Sequence, residues 1–566
     1  MTNIKNNQHP LLNRRTFTSL MASGLGAVAC PSVFSSENNG QRPNVVLVMT
    51  DDQGYGDIGI HGNDKIRTPH MDALSKQSAI MTQFYVCPVC APTRASLMTG
   101  RYNYRTGAID TYLGRAMMHG EETTIAEMLG AAGYKTGIFG KWHLGDNVPM
   151  RPDDQGFDEY LIHMGGGLAQ PANPPNSKYH DPDLLHNGQF KTFKGYCTDI
   201  FTDAAIDFIE QKKDQPFFTY LATNAPHTPL QIDEKYVKPY RDMGLDETTA
   251  KVYGMVENID DNLGKLLAAL KRLELEENTI VIFLTDNGPQ QKRYIAGLRG
   301  RKGQVYEGGI RVPFFIRWPN KLKQGKTSDR IAAHIDVAPT ILDACGIKKP
   351  DNVALDGRSL MPLLTQASPQ WTDRNLYFQW HRGDVPERFR ACAVRNQRYK
   401  MINGVELYDI KNDPYENNDI ADDNPKIVAQ MRDEYLDWFR DVSGGRGYAP
   451  PRIHIGSPKE NPTILTPQDW RGPDAGWGKN SIGYWEVEIL KAAQYEVRLR
   501  FRPLQSDAVC YFKLRSVILK QELRKGDEEF TFQGVDLPAG SARLEAWINQ
   551  GDKNTGTKYV DVKLID

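Results

Sequence analysis

The sequence predicts an α/β fold built on a mostly parallel sheet flanked by helices, followed by a small antiparallel subdomain and an all-β sandwich-like domain. Three observations lead there. From Arg42 onward, short apolar runs of strand length alternate with segments whose apolar residues recur at helical spacing, the pattern of a parallel sheet covered by crossover helices. Near residue 370 the pattern changes to short strands alone. Beyond a Gly- and Pro-rich passage at 443–467, evenly spaced strands continue through the rest of the sequence.

A chain of 566 residues is too long for one compact core. The expected divisions are 1–41, 42–370 for the α/β domain, 371–445 for the antiparallel subdomain, 446–467 for a linker and 468–566 for the β domain. The first of these puts Arg14 and Arg15 ahead of the apolar run LMASGLGAVAC. That run is too short to span a bilayer, and a twin arginine before it reads as a signal for export of a folded protein to the periplasm or exterior by a dedicated machinery. Ala-Val-Ala-Cys30 loosely resembles a lipoprotein box but lacks its usual leucine. With 69 basic and 70 acidic side chains the net charge is -1, which argues for neither nucleic acid nor a membrane surface as partner. No stable transmembrane span is expected. The 7 cysteines are scattered, unlike a disulfide framework or a four-cysteine zinc cage.

The expected strands are 44–50, 136–140, 216–223 and 279–285, with amphipathic helices at 123–133 and 253–273. Each strand runs into a polar cluster: Asp51-Asp52, Lys141-Trp142-His143, Asn224-Ala225-Pro226-His227 and Asp286-Asn287-Gly288. In open α/β sheets ligands bind outside the carboxyl ends of the strands, so the four clusters face one crevice. Singly, each is also an ordinary turn or helix cap. Together, three carboxylates and an amide oxygen make a hard site suited to Ca²⁺ or Mg²⁺ rather than zinc. Without a cation, the carboxylates repel and one takes a proton. Lys141, His143 and His227 add the donors and proton carriers that an anionic substrate requires.

Residues 87–101 read CPVCAPTRASLMTGR. Pro92 suits a first helical turn and Gly100 a terminator, which places Cys90 at a helix N-terminus with Arg94 a turn further on. Free N–H groups and the helix dipole favour an anion there. A Cys-x-x-Cys redox pair fits the spacing, but such pairs belong in small βαβ settings and have no use for clustered carboxylates.

Cys90-Ala91-Pro92-Thr93-Arg94 with Leu97-Met98-Thr99-Gly100-Arg101 resembles the signature of type I sulfatases of the alkaline phosphatase-like superfamily. DDQGYGD (51–57), GYKTGIFGKWHLG (133–145), APHTPL (225–230), TDNGP (285–289), RGRKGQVYEGGIRVP (299–313) and ELYDIKNDPYENNDIA (406–421) follow the same family in order, from about residue 43 to about 440. The resemblance implies that a maturation enzyme converts Cys90 to formylglycine. It implies a divalent cation, usually Ca²⁺, on Asp51, Asp52, Asp286, Asn287 and the modified Cys90. Arg94, Lys141 and Lys302 then hold the sulfate, His143 helps regenerate the aldehyde, and His227 with Lys302 assists departure of the alcohol. Arg301 departs from a position where glycine is frequent. The aldehyde hydrate offers two hydroxyls on one carbon, one to attack sulfur and one to expel sulfate by elimination, which a serine cannot do. A phosphatase or phosphodiesterase of the same superfamily is the nearest rival, although those relatives generally use Ser or Thr with two zinc ions. A noncatalytic polysaccharide-binding protein on this scaffold is another, disfavoured by the intact residue set.

Export and an appended β domain point to a sulfated carbohydrate substrate. His381 and Arg382, in WHRGD, are candidate substrate contacts or ordinary surface residues. Trp477, Tyr484 and Trp485 are candidates to stack on sugar rings, or to fill a core.

Overall fold

The computed structural model describes residues 42–175 and 177–565, so the twin-arginine segment and Cys30 lie outside the described residues. Four adjacent parallel strands form the centre of a ten-stranded sheet: β1 (Asn44–Thr50), β2 (Lys135–Lys141), β3 (Phe217–Ala222) and β4 (Thr279–Thr285), in the order β4-β1-β3-β2. Glu159–His163 extends the parallel set beyond β2, and antiparallel strands edge the sheet on both sides. Every residue of β1 is buried. Val45, Leu47 and Met49 enter one hydrophobic cluster while Val46 and Val48 enter another, because alternate side chains point to opposite faces. The first cluster includes helix α1 (Cys90–Thr99). The second takes the apolar stripes of α2 (Cys197–Lys212) and α3 (Glu247–Arg272).

The strands at 376–379, 392–395, 399–402 and 406–409 pair consecutively as an antiparallel sheet, covered by α4 (Pro425–Gly444) through Tyr435, Trp438 and Phe439. Two further sheets, of six and four strands, share one core that includes Trp485, Val487, Tyr495 and Phe512.

Two details differ from the sequence expectation. The passage expected as a linker contains strands Ile453–Ile455 and Thr463–Leu465, one in each sheet of the β domain. Their three-residue length and flanking Pro and Gly hide the strand pattern. Val517–Leu523, a strand with exposed lysine and glutamate, was also not expected. It is held by a continuous ladder to Ala508–Leu514 rather than by apolar alternation.

Candidate active site

The four central strands end side by side and deliver their polar clusters to one place. Backbone bonds carry the ladder past the strands: Asp51 N–H donates to Ala225 O at 3.1 Å and Asp286 N–H to Thr50 O at 3.1 Å. Asp52 and His143 both lie in the left-handed region, with φ of 63° and 59°, which turns each side chain off the line of its strand. Gly140 has φ 123°, and a Cβ there would fall 1.8 Å from Ala222 O. Only glycine lets β2 lie close enough to β3 to set Lys141 beside Asp51.

Cys90 opens α1 after an extended Val89, and all ten residues of that helix are buried. Its thiol lies within 4.8 Å of carboxylate oxygens of Asp51 and Asp286. Burial raises the thiol pKa, against the pull of Lys141 and Lys302. Cys87 turns away, with its sulfur 3.3 Å from His334 Nε2, and neither cysteine is in a disulfide.

Three carboxylates meet three cations one to one. Lys141 Nζ donates to Asp51 Oδ2 at 2.5 Å, Lys302 Nζ to Asp52 Oδ1 at 2.5 Å, and Arg94 Nε and Nη2 to Asp286 Oδ2 at 3.1 and 2.7 Å. The expected mutual repulsion of bare carboxylates is therefore largely met by these partners. Burial acts to raise Asp52, but Lys302, His227 and the Asn287 hydrogen bond together outweigh it and hold the carboxyl well below its ordinary value. Burial and then the Asp51 charge push Asp286 up to about 6 in spite of Arg94.

The donor set fits a hard divalent cation. Asp51 Oδ1, Asp52 Oδ2 and Asn287 Oδ1 are buried acceptors with no partner among the described residues, in a region where such atoms are normally satisfied. Asn287 Nδ2 donates to Asp52 Oδ1 at 2.8 Å, which leaves the amide oxygen as the free end.

The histidines are assigned by their partners. Nδ1 of His227 is 2.7 Å from Thr228 O, which only accepts, so Nδ1 carries the proton and Nε2 is bare, 4.0 Å from Asp52 Oδ2. Burial, then Lys302, lowers this imidazole to about 3. Nε2 of His143 donates to Thr111 O at 3.3 Å, which leaves Nδ1 a buried acceptor without a partner among the described residues. Burial, followed by Lys141 and Arg94, takes its pKa well below the ordinary value.

His381 and Arg382 stand differently. Both ring nitrogens of His381 are engaged by its own loop, with Arg382 O at 3.0 Å and Glu387 N–H at 2.8 Å, so His381 braces the loop. Arg382 pairs with buried Asp110 at 3.1 Å and lies over the Tyr112 ring. Trp485 fills the β-domain core, Tyr484 lies under Arg543, and Trp477 lines an open cavity. Sequence reasoning missed Asp110, Thr111 and the run Gly165-Gly166-Gly167. That triple glycine was the available signal: a Cβ on Gly166 would fall 2.5 Å from His143 Cε1.

The chain is similar to known proteins over most of its length. The Sulfatase family model matches residues 43–347, more than half of the chain, and the model for the C-terminal region of N-sulphoglucosamine sulphohydrolase matches 301–440. N-acetylgalactosamine-6-sulfatase of Canis lupus familiaris is 32% identical over 416 residues, covering 68% of this chain and 74% of that protein. Arylsulfatase A of Homo sapiens is 33% identical over 429 residues, covering 68% and 77%. The crystal structure of Ps i-CgsB in complex with k-i-k-neocarrahexaose is 30% identical, with a TM-score of 0.65 over 72% of this chain and 95% of that one. The chain thus belongs to the sulfatase family and is a sulfuric ester hydrolase.

Proposed function

We propose that the protein hydrolyses sulfate esters of a sulfated carbohydrate, with Cys90 converted to formylglycine and a divalent cation, Ca²⁺ or Mg²⁺, held by Asp51, Asp52, Asp286 and Asn287. The observation that carries the reading is the state of Cys90. Its thiol is buried beside two carboxylates and its pKa is raised, so as a plain cysteine it is a poor nucleophile at the centre of an anion site. A precursor side chain explains what a reactive thiol does not. The carbohydrate part is supported by the relatives, among them a sulfatase named for N-acetylgalactosamine and a structure in complex with neocarrahexaose.

A divalent cation held by Asp51, Asp52, Asp286 and Asn287 would, with formylglycine at position 90, supply an activated hydroxyl for attack at sulfur. The chain's own groups do the rest. Arg94 and Lys141, fixed by Asp286 and Asp51, present positive charge to the sulfuryl oxygens. Of the two groups beside the leaving oxygen, Lys302 keeps its proton at neutral pH and presents positive charge to it, while Nε2 of His227 relays a proton from solvent to the departing alcohol. Bare Nδ1 of His143 is the base that lets sulfate depart. The Arg14-Arg15 motif supports export to the periplasm or exterior as part of this reading.

Tryptic mass spectrometry of the Cys90 peptide from native-host protein, paired with sulfate release from a panel of sulfated oligosaccharides, tests this. Formylglycine and release from a sugar are expected. An unmodified thiol in active protein sinks the nucleophile assignment, and cleavage of synthetic aryl sulfates alone sinks the carbohydrate assignment.

A further inference from the structure

An open cavity of about 770 Å³ lies between the β domain and the α/β unit, outside the catalytic crevice. Its charged lining is one-sided: Lys479, Arg502, Lys553 and Lys558 face it, and no carboxylate does. All four are exposed, and among the described residues none has a carboxylate within ion-pair distance. Isolated surface cations normally sit among carboxylates on a protein with near-zero net charge, so four without a carboxylate partner around one concavity, Lys558 among them over the Tyr559 ring, concentrate positive potential there. The wall also presents Trp477, a flat apolar face, and Thr557, whose buried hydroxyl has no partner among the described residues. Aromatic faces, hydroxyls and cations together match a sugar ring bearing an anionic substituent.

The cavity is wired to the catalytic crevice by two short paths. Gly166 and Gly167 pack against His143 and His227, and Ala169, which lines the cavity, is two residues further on, at most about 7 Å along the chain. Trp477 meets the Tyr112 ring at 4.7 Å, and neighbouring Thr111 holds His143. The family models end by residue 440, so most of this lining comes from a part of the chain that they do not describe.

We propose that this cavity is a second binding site for the same polymer, taking an anionic sugar unit other than the one whose sulfate ester is cleaved, with Trp477 as stacking platform and the four cations as its charge partners. The proposal rests on the carbohydrate reading above and extends it from one sugar to a chain.

Calorimetric titration of the full chain carrying Cys90→Ala, which cannot turn the probe over, tests it with dextran sulfate, unsulfated dextran and an oligothymidylate. Dextran sulfate is expected to bind, and the double substitution Arg502→Ala with Lys558→Ala to weaken it at least tenfold at 0.15 M salt, a size set by loss of two charge-assisted contacts. Lys520→Ala, a lysine of the same domain outside the cavity, is the control and is expected to leave binding unchanged. Trp477→Phe should retain more affinity than Trp477→Ala at equal thermal midpoints. Binding of the double variant equal to the parent, an equal loss in Lys520→Ala, or equal affinity for the oligothymidylate overturns the proposal. Failure of sulfate release by the mature enzyme refutes the catalytic reading instead, and leaves these titrations interpretable.

Discussion

His163 closes the strand next to β2, in register with Lys141, and is fully buried. Its Nδ1 is 3.0 Å from Met164 O and its Nε2 has no partner among the described residues. Burial, with Lys141 and Arg94 adding to it, lowers the imidazole from 6.5 to about 3. The unfolded chain therefore takes a proton below pH 6.5 that the folded chain refuses until about pH 3. Stability from this group is complete above pH 6.5 and is lost as pH falls through that window. At ~1.4 kcal/mol per pH unit the loss is roughly 3 kcal/mol at pH 4.5 and ~5 kcal/mol at the acid limit. His163→Asn keeps a donor for Met164 O and removes the titration. At pH 7.5 the variant is expected to be less stable by about 1–2 kcal/mol through lost ring contacts. By pH 4.5 that gap closes or reverses. Urea unfolding followed by tryptophan fluorescence from pH 7.5 to 4.5 measures both slopes. Parallel slopes for parent and variant would show that His163 is not a buried neutral imidazole, and would refute the reasoning.

Lys302→Ala leaves the Asp52 carboxylate buried without its charge partner, and kcat/KM on an aryl sulfate should fall at least ~100-fold, with the loss larger in kcat than in KM. Dialysis against a chelator followed by Ca²⁺ should raise the unfolding midpoint, by an amount equivalent to ~2.7 kcal/mol at 100 times Kd, and Asn287→Leu should abolish that response; a metal-independent midpoint in both proteins counts against the cation assignment. Gly140→Ala sets a Cβ 1.8 Å from Ala222 O, so the variant should express poorly or melt well below the parent, and a normal melt would show that β2 and β3 are not so closely apposed.

The catalytic strands were legible because a buried parallel strand is a continuous apolar run, and β1 and β4 match the runs 44–50 and 279–285 residue for residue. The polar residues after them stood out by contrast. What the linear pattern could not carry is which cation meets which carboxylate. Lys302 lies in a loop about 250 residues from Asp52, and nothing local marks the pair. His163 ends its strand as the other site residues end theirs, yet its neighbours in the sheet were needed to place it beside Lys141. In the β domain the long alternating strands were readable, whereas 453–455 and 463–465 take their order from partners far along the chain.

Residues 111–114 belong to both lobes at once. Thr111 O holds His143, Tyr112 meets Trp477, Leu113 enters the β-domain core, and Gly114 exchanges backbone and side-chain bonds with Gln468 and Arg471. The β domain is accordingly no detachable cargo. Four consecutive residues join it to His143, so if His143 is the base proposed above, truncating the outer lobe removes contacts that hold the segment aiming that imidazole.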